Sequence, residues 1–400
     1  MELKEADKLF VTAGRMAALK SGLKDKNCRR IFLGGLPGSS PAMLFGGMER
    51  DKTPSLIVAD DMDSAGYLYH DLCQIMGEES VAVFPSGYKR DIKYGQPDPP
   101  QQILRTETLE AIRRSDKKLR YVVSYPEALA EKVADREKFA VESVTVKKGD
   151  KLLLSELVDK LRLLGFHETE YVYEPGQFAR RGSIVDVYSY SHELPYRIDF
   201  FDDEVDSMRS FEVETQLSEK RYDEVSIVAP GASETGEKGI SLLEYMGDKT
   251  VVYCRSLSYM LSRIKAIGEE TFSTSALIAE EGDSESMKKV VDYEAFEKRI
   301  EEMKVAEFSG ATETGDFTAD MKIDFGCTPQ ALYHKNFNLI ADSFKDFISK
   351  GYDIFILSDS AYQADRLKAI FEDRGDDIRF TPVDRTIHEG FVDHEGKRCF

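Results

Sequence analysis

A glycine-rich loop is the first segment of this 400-residue chain whose residue types could bind phosphate. The loop reads Gly-Leu-Pro-Gly-Ser-Ser-Pro-Ala from Gly35 to Ala42 and follows a predicted strand. A working P-loop, G-x-x-x-x-G-K-[ST], needs a last glycine, a lysine for the phosphates and a hydroxyl for Mg²⁺. Ser40, Pro41 and Ala42 replace these three residues. We predict that this loop is a degenerate, non-functional nucleotide loop, and the alternative is residual nucleotide binding. The loop residues concerned are Gly35, Gly38, Ser39, Ser40, Pro41 and Ala42.

A P-loop ATPase also needs a carboxylate at the end of a nearby strand to position Mg²⁺ and water. The candidate strand, Val251 to Cys254, is followed by Arg255 and Ser256 and has no carboxylate. We therefore predict no catalytic residue and no ATP hydrolysis.

One predicted strand has two dissimilar faces. Residues 196 to 201 read Tyr-Arg-Ile-Asp-Phe-Phe, so alternation places Arg197, Asp199 and Phe201 on one face and apolar side chains on the other. An exposed aromatic beside arginine is typical of interface hot spots, worth about 2 kcal/mol or more. The candidate partner-binding residues are Arg181, Arg197, Phe201 and, by adjacency, Arg180. The alternative is that Phe201 packs under a loop while the arginines pair with nearby acids: Asp199, Asp202, Asp203 or Glu204.

Other chemistry has weaker support. The acidic runs Asp60-Asp61 and Asp202-Asp203-Glu204 could each bind a metal, but solvated acidic turns are commoner. The six histidines have no helical pairing typical of a metal site. No G-x-S-x-G elbow is present. We predict no metal and no cofactor.

Composition narrows the classes further. The 54 basic and 73 acidic residues give a net charge of −19, which repels nucleic-acid backbones and argues against a stand-alone DNA binder. Five dispersed cysteines match neither a zinc site nor a disulfide scaffold. With no signal peptide and no long apolar run, a cytoplasmic protein without membrane contact is expected. The last residues look like a strand just beginning, as in a fragment of a longer chain.

The elements that must position these residues change type along the chain. Short apolar runs alternate with helical patterns up to about residue 135, which predicts a parallel sheet covered by helices. From 150 to 164 the pattern is an amphipathic helix, and period-two strands follow at 170–173, 178–190 and 195–201. The predicted fold class is α/β: a degenerate P-loop, helicase-like parallel-sheet domain with an inserted small α+β antiparallel domain and a partial third α/β domain. The predicted domains are 1–135, 136–222 (inserted), 223–331 (second part of the first) and 332–400 (truncated third).

The strings Phe178-Ala-Arg-Arg-Gly-Ser-Ile-Val-Asp-Val-Tyr188 and Leu194-Pro-Tyr-Arg-Ile-Asp-Phe-Phe-Asp-Asp-Glu204 resemble the N-terminal module of the bacterial transcription-repair coupling factors (Mfd), itself similar to the helicase UvrB. The resemblance spans essentially the whole chain and is densest from Val172 to Ser218.

That resemblance implies a function. Members displace RNA polymerase stalled at DNA damage with an ATP-driven translocase motor and recruit UvrA, in nucleotide excision repair. Their N-terminal module is UvrB-like without ATPase activity, and its inserted domain binds UvrA. The family's contact residues fall on Arg181, Arg197 and Phe201, which favours the interface interpretation.

This chain lacks the motor motifs and a polymerase-binding tail. RNA polymerase and DNA are therefore expected to contact other parts of the full-length protein. Two alternatives remain from the sequence: an active UvrB-like ATP-dependent helicase module, and a purely structural brace.

Overall fold

The structure is a computed structural model that describes residues 13–48, 53–88, 98–114, 118–229, 239–278, 289–312, 315–334 and 336–400. Its largest element is a seven-stranded sheet in which every neighbouring pair is parallel. The strands are β1 (Arg30–Gly34), β2 (Ser55–Val58), β3 (Val81–Val83), β4 (Tyr121–Ser124), β13 (Val251–Cys254), β14 (Lys304–Phe308) and β15 (Met321–Asp324). Their spatial order is β15-β1-β14-β13-β2-β4-β3. The predicted helicase-like α/β class is confirmed.

Helices pack against this sheet, as expected for strands that are apolar on both faces. They are α1 (Ala13–Lys24), α2 (Ser40–Gly47), α3 (Met62–Met76), α4 (Pro99–Arg113), α5 (Pro126–Leu129), α6 (Arg136–Val141), α8 (Leu242–Met246), α9 (Leu257–Ile278) and α10 (Tyr293–Glu302). At the centre of the core, the Phe45 ring meets the rings of Tyr253 and Phe308 edge-on, with centroids 4.9 and 5.5 Å away. The main core therefore joins segments from both halves of the chain.

A second sheet of six strands is inserted between β4 and β13. Its order is β11-β10-β9-β8-β7-β6, and its members are β6 (His167–Glu168), β7 (Gln177–Arg181), β8 (Ile184–Val187), β9 (Tyr196–Phe201), β10 (Glu204–Phe211) and β11 (Ser218–Tyr222). Helix α7 (Leu154–Leu163) packs its buried Leu157, Val158 and Leu161 on one face of this sheet. The predicted amphipathic helix and antiparallel insertion are confirmed in kind.

Two strand predictions within the insertion are wrong. The single strand predicted for 178–190 is a hairpin, because Gly182, with φ +60°, makes a turn between β7 and β8. The strand predicted for 170–173 is irregular, since side chains take its backbone bonds. Thr169 donates to the Tyr171 carbonyl at 2.8 Å, and Gln177 Oε1 accepts from the Tyr173 amide at 2.8 Å.

The stem of the insertion is a two-stranded antiparallel sheet of β5 (Ser143–Lys147) and β12 (Glu224–Val228). Val225 and Ile227 pack in the core of the insertion. The boundary predicted at 222 stays a prediction, and this packing favours an end nearer residue 229.

A third unit follows, with helices α11 (Phe337–Ser349) and α12 (Ala361–Asp373). Its sheet has the order β16-β19-β20-β17-β18, and the strands are β16 (Cys327–Pro329), β17 (Asp353–Leu357), β18 (Thr381–Val383), β19 (Phe391–Asp393) and β20 (Arg398–Cys399). Phe355, Phe391 and Phe400 belong to the main core cluster. This unit is therefore packed on the first layer.

A buried hydrogen bond joins the insertion to the first layer: Ser226 Oγ donates to Glu110 Oε1 over 2.6 Å. Both side chains are about 95% buried, each with 5% relative exposure. We expect Ser226→Ala to lower the free energy of unfolding by about 2 kcal/mol, the usual contribution of a hydrogen bond to a charged group. Chemical denaturation of the variant checks this, with the exposed Ser183→Ala as the matched control. An equal loss of unfolding free energy in both variants would contradict a stabilising role for the Ser226–Glu110 hydrogen bond.

Candidate partner-binding face

The six-stranded sheet of the insertion has one face covered by α7 and one face turned outward. Cross-strand pairing places Asp186 opposite Arg197, and Arg197 opposite Arg209. Asp199, two residues after Arg197 on β9, lies opposite Ile184 on β8. We call this surface the outer face, defined by Arg181, Ile184, Asp186, Arg197, Asp199, Phe201 and Arg209.

Asp186 is the centre of the outer face. Its side chain is only 2% exposed, so its charge must be compensated within the protein. Arg197 Nε donates to Asp186 Oδ1 at 2.7 Å, and Arg197 Nη2 donates to Oδ2 at 2.9 Å. Arg181 Nη2 also donates to Oδ2. One buried carboxylate therefore holds both arginines predicted to bind a partner.

Arg197 is fixed on its other sides as well. Its Nη2 donates to Gln216 Oε1 at 2.8 Å, and its Cζ lies 4.1 Å from the centroid of the Phe211 ring. The pKa of Arg197 is raised, because the effect of its hydrogen bonds to Asp186 exceeds the opposing effect of burial. Only 12% of this side chain is exposed. Arg197 is thus a nearly buried cation whose outermost part reaches the surface.

Phe201 is the exposed apolar residue of the outer face. Its residue exposure is 78%, whereas Ile198 and Phe200 on the same strand are at most 5% exposed. The two-faced strand predicted for 196–201 is therefore confirmed, and Phe201 does not pack under a loop. An isolated exposed phenylalanine carries no stability and is available for contact.

The acidic residues next to Phe201 pair with a lysine, whereas Arg181 and Arg197 both pair with Asp186. Lys151 Nζ lies 3.2 Å from an Asp203 oxygen and 3.3 Å from a Glu204 oxygen. Asp199 pairs with Arg209. The alternative pairing of Arg181 and Arg197 with these acids is wrong, because β8 supplies a closer, buried carboxylate.

Arg181 and Arg180 point to different sides of β7. Arg181 pairs with Asp186, has a side chain 36% exposed, and its Cζ lies 5.1 Å from the centroid of the Tyr171 ring. Arg180 is exposed and lies opposite Val185, a residue of the core face. The structure thus brings Arg181, Arg197 and Phe201 to one face and leaves Arg180 outside that group.

Sequence reasoning missed Asp186, Gln216 and Arg209. The signal was available for Asp186, because an acid at alternating position among Ile184, Val185 and Val187 must be paired if the strand is buried. The missed hairpin at Gly182 hid this partner, since it is the turn that sets Asp186 beside Arg181.

The degenerate loop lies between β1 and α2, as predicted, and the protein itself fills its surroundings. Gly35 and Gly38 have φ of +68° and +55°. The Ser39 amide donates to the Glu389 carbonyl at 3.2 Å, and the Glu389 amide donates to Ser39 Oγ at 3.0 Å. Ser40, Pro41 and Ala42 are buried. Glu389, in the third unit, is therefore hydrogen-bonded to the Ser39 amide and hydroxyl, which are groups of the kind that a P-loop uses to bind phosphate.

A cavity of about 250 Å³ remains beside the loop. Asp71 and Glu389 line it, together with Arg255. Burial raises the pKa of Asp71, and this effect exceeds the lowering caused by hydrogen bonds from the Ser39 side chain and the His388 amide. The Tyr67 and His388 rings stack with centroids 3.6 Å apart at its wall. The carboxyl groups of Asp71 and Glu389 disfavour the binding of a polyphosphate in this cavity.

Within the described ranges, no three His, Cys, Asp or Glu side chains form a group that could hold a metal ion. In the same part of the chain, no helix combines the length and apolar character of a membrane span.

The family model of the UvrB interaction domain matches residues 144–232. This range holds α7, the six-stranded sheet and the whole outer face. The insertion is therefore similar to the domain that this model describes.

The relatives named transcription-repair-coupling factor are similar over more of the chain. The protein of Escherichia coli is 28% identical over 53% of this chain and 18% of its own length. That of Haemophilus influenzae is 26% identical over 54% of this chain and 18% of its own length. That of Staphylococcus haemolyticus is 20% identical over 86% of this chain and 34% of its own length. The predicted resemblance to the N-terminal module of these factors is confirmed.

Proposed function

We propose that this chain is a non-catalytic, UvrB-like adaptor module that recruits UvrA in transcription-coupled repair, and that the outer face is its docking surface. The observation that carries the proposal is the placement of Arg181, Arg197 and the exposed Phe201 on one face of the segment matched by the UvrB interaction domain. The names of the relatives support the repair setting.

The interface chemistry follows from this arrangement. Burial of Phe201 against the partner removes apolar surface from water, and guanidinium groups are enriched at protein interfaces because they form several hydrogen bonds. The chain as a whole carries a net charge of −19 and repels an acidic surface, so the local cationic cluster determines which part of the chain such a surface approaches. In this proposal, RNA polymerase and DNA contact regions of the relatives that the chain does not match.

Absence of catalysis is the second part of the proposal. The replaced Ser40, Pro41 and Ala42, and the occupation of the loop by residues near Glu389, support it. We expect calorimetric titration of the protein with Mg²⁺·ATP to give no saturable heat, whereas UvrB, as the positive control, binds. Saturable micromolar binding would favour the alternative of an active helicase module.

A pull-down with UvrA tests the adaptor function. We expect the parent protein to retain UvrA and Phe201→Ala to lose most of it. Equal retention by both would leave the structural brace as the better account.

A further inference from the structure

Asp186 has a geometry that partner contact alone does not explain. Three N–H groups from two strands converge on it: Nε and Nη2 of Arg197 and Nη2 of Arg181. A carboxylate accepts about four hydrogen bonds, so Asp186 is nearly saturated. It is also 2% exposed and lies below the surface that a partner reaches.

The arginines still have donors to offer. Each guanidinium has five N–H groups, and Arg197 uses three of them on Asp186 and Gln216. Within the described ranges, Arg197 Nη1 has no acceptor. Two guanidinium charges against one carboxylate leave one net positive charge in the cluster.

Resting on the proposed function, we propose that Asp186 is a positioning residue of the partner-binding face, with Gln216 as its second support. Together they hold Arg181 and Arg197 in fixed orientations, so that those unused N–H donors that reach the surface meet a carboxylate on the partner without a rearrangement, whereas Arg181 Nε is buried. The partner chemistry that fits is an acidic protein surface with an acceptor beside an apolar pocket for Phe201.

The physical reason is the cost of ordering. An arginine side chain that is mobile in the unbound protein loses rotamer entropy when a partner immobilises it, and this loss weakens binding. Asp186 has already ordered two such side chains in the unbound protein. Its loss is therefore expected to weaken binding through the arginines, although Asp186 touches no partner atom.

Asp186→Asn tests this role, since it removes the charge and keeps the shape. We expect the affinity for UvrA to fall about 10-fold, measured by titration well below the unfolding temperature of each variant. The matched control is Asp159→Asn, which removes a carboxylate paired with Arg162 on α7, the helix on the opposite side of the sheet. We expect the control to change affinity less than about 3-fold. Equal losses in both variants would overturn the proposal.

A double-mutant cycle separates positioning from general structural damage. If Asp186 acts through the arginines, Asp186→Asn costs less in an Arg181→Ala background than in the parent. Independent, multiplicative losses would contradict the positioning role. Gln216→Asn shortens the second support in a turn where Asn tolerates the φ of +60°, and we expect a loss of about 3-fold. It serves if Asp186→Asn does not fold, and an unchanged affinity there would refute the inference.

The outcomes also distinguish this inference from the proposed function. If Arg181→Ala and Phe201→Ala leave the affinity unchanged, the docking surface itself is wrong. If those variants lose affinity and both Asp186→Asn and Gln216→Asn retain it, only the positioning role fails.

Discussion

Arg197→Ala is expected to lower the local stability of the inserted sheet by about 3 kcal/mol. The substitution leaves the Asp186 carboxylate, 2% exposed, with Arg181 as its remaining cation. Breaking a buried ion pair from one side typically costs about 3–5 kcal/mol, because the other charge stays buried without full compensation. Hydrogen–deuterium exchange of the β8 and β9 amides measures the free energy of local opening in this region.

Two comparisons make the test specific. Arg209→Ala removes an arginine from a pair that is 24% and 21% exposed, and we expect a loss of about 1 kcal/mol or less. Adding Asp186→Asn to Arg197→Ala removes the uncompensated charge and is expected to recover much of the stability. No recovery would show that the loss comes from packing on Phe211.

Phe201→Ala is expected to weaken UvrA binding about 30-fold, which corresponds to about 2 kcal/mol at the interface. Because Phe201 is 78% exposed, the free energy of unfolding should change by less than about 0.5 kcal/mol. Calorimetric titration with UvrA, together with thermal unfolding, measures both quantities.

The control for this variant is Leu163→Ala. Leu163 is 87% exposed and lies on α7, which covers the opposite face of the sheet. We expect its affinity to equal that of the parent. Comparable losses at positions 163 and 201 would place the contact elsewhere on the insertion.

The layered fold was predictable because the signals are local. Apolar runs of four or five residues separated by helical patterns specify a parallel sheet, and the spacing of Leu157, Val158 and Leu161 specifies one helix face. The hairpin at Gly182 was missed because β7 and β8 have the same two-residue period. The turn shows only as a change of phase, since Phe178 in β7 pairs with Val187 in β8 on the core face. The irregular 170–173 segment depends on bonds from Thr169 and Gln177, which propensity does not encode.

The site was predictable in part. Alternation alone puts Arg197 and Phe201 on one face, and their exposure of 12% and 78% then distinguishes a nearly buried cation from a surface aromatic. The contact of Glu389 with Ser39 joins residues 350 positions apart, so no local pattern could reveal it. Likewise, the buried pairing of Asp186 needs the strand register, which the sequence leaves open.

Site-specific photocrosslinking tests the central claim most directly. A benzophenone amino acid at position 201 replaces one aromatic ring with another on the outer face, and the same group at position 163 probes the far side of the insertion. We expect irradiation with UvrA to give a covalent UvrA adduct from position 201 and none from position 163. An adduct from 163 without one from 201 would contradict the account.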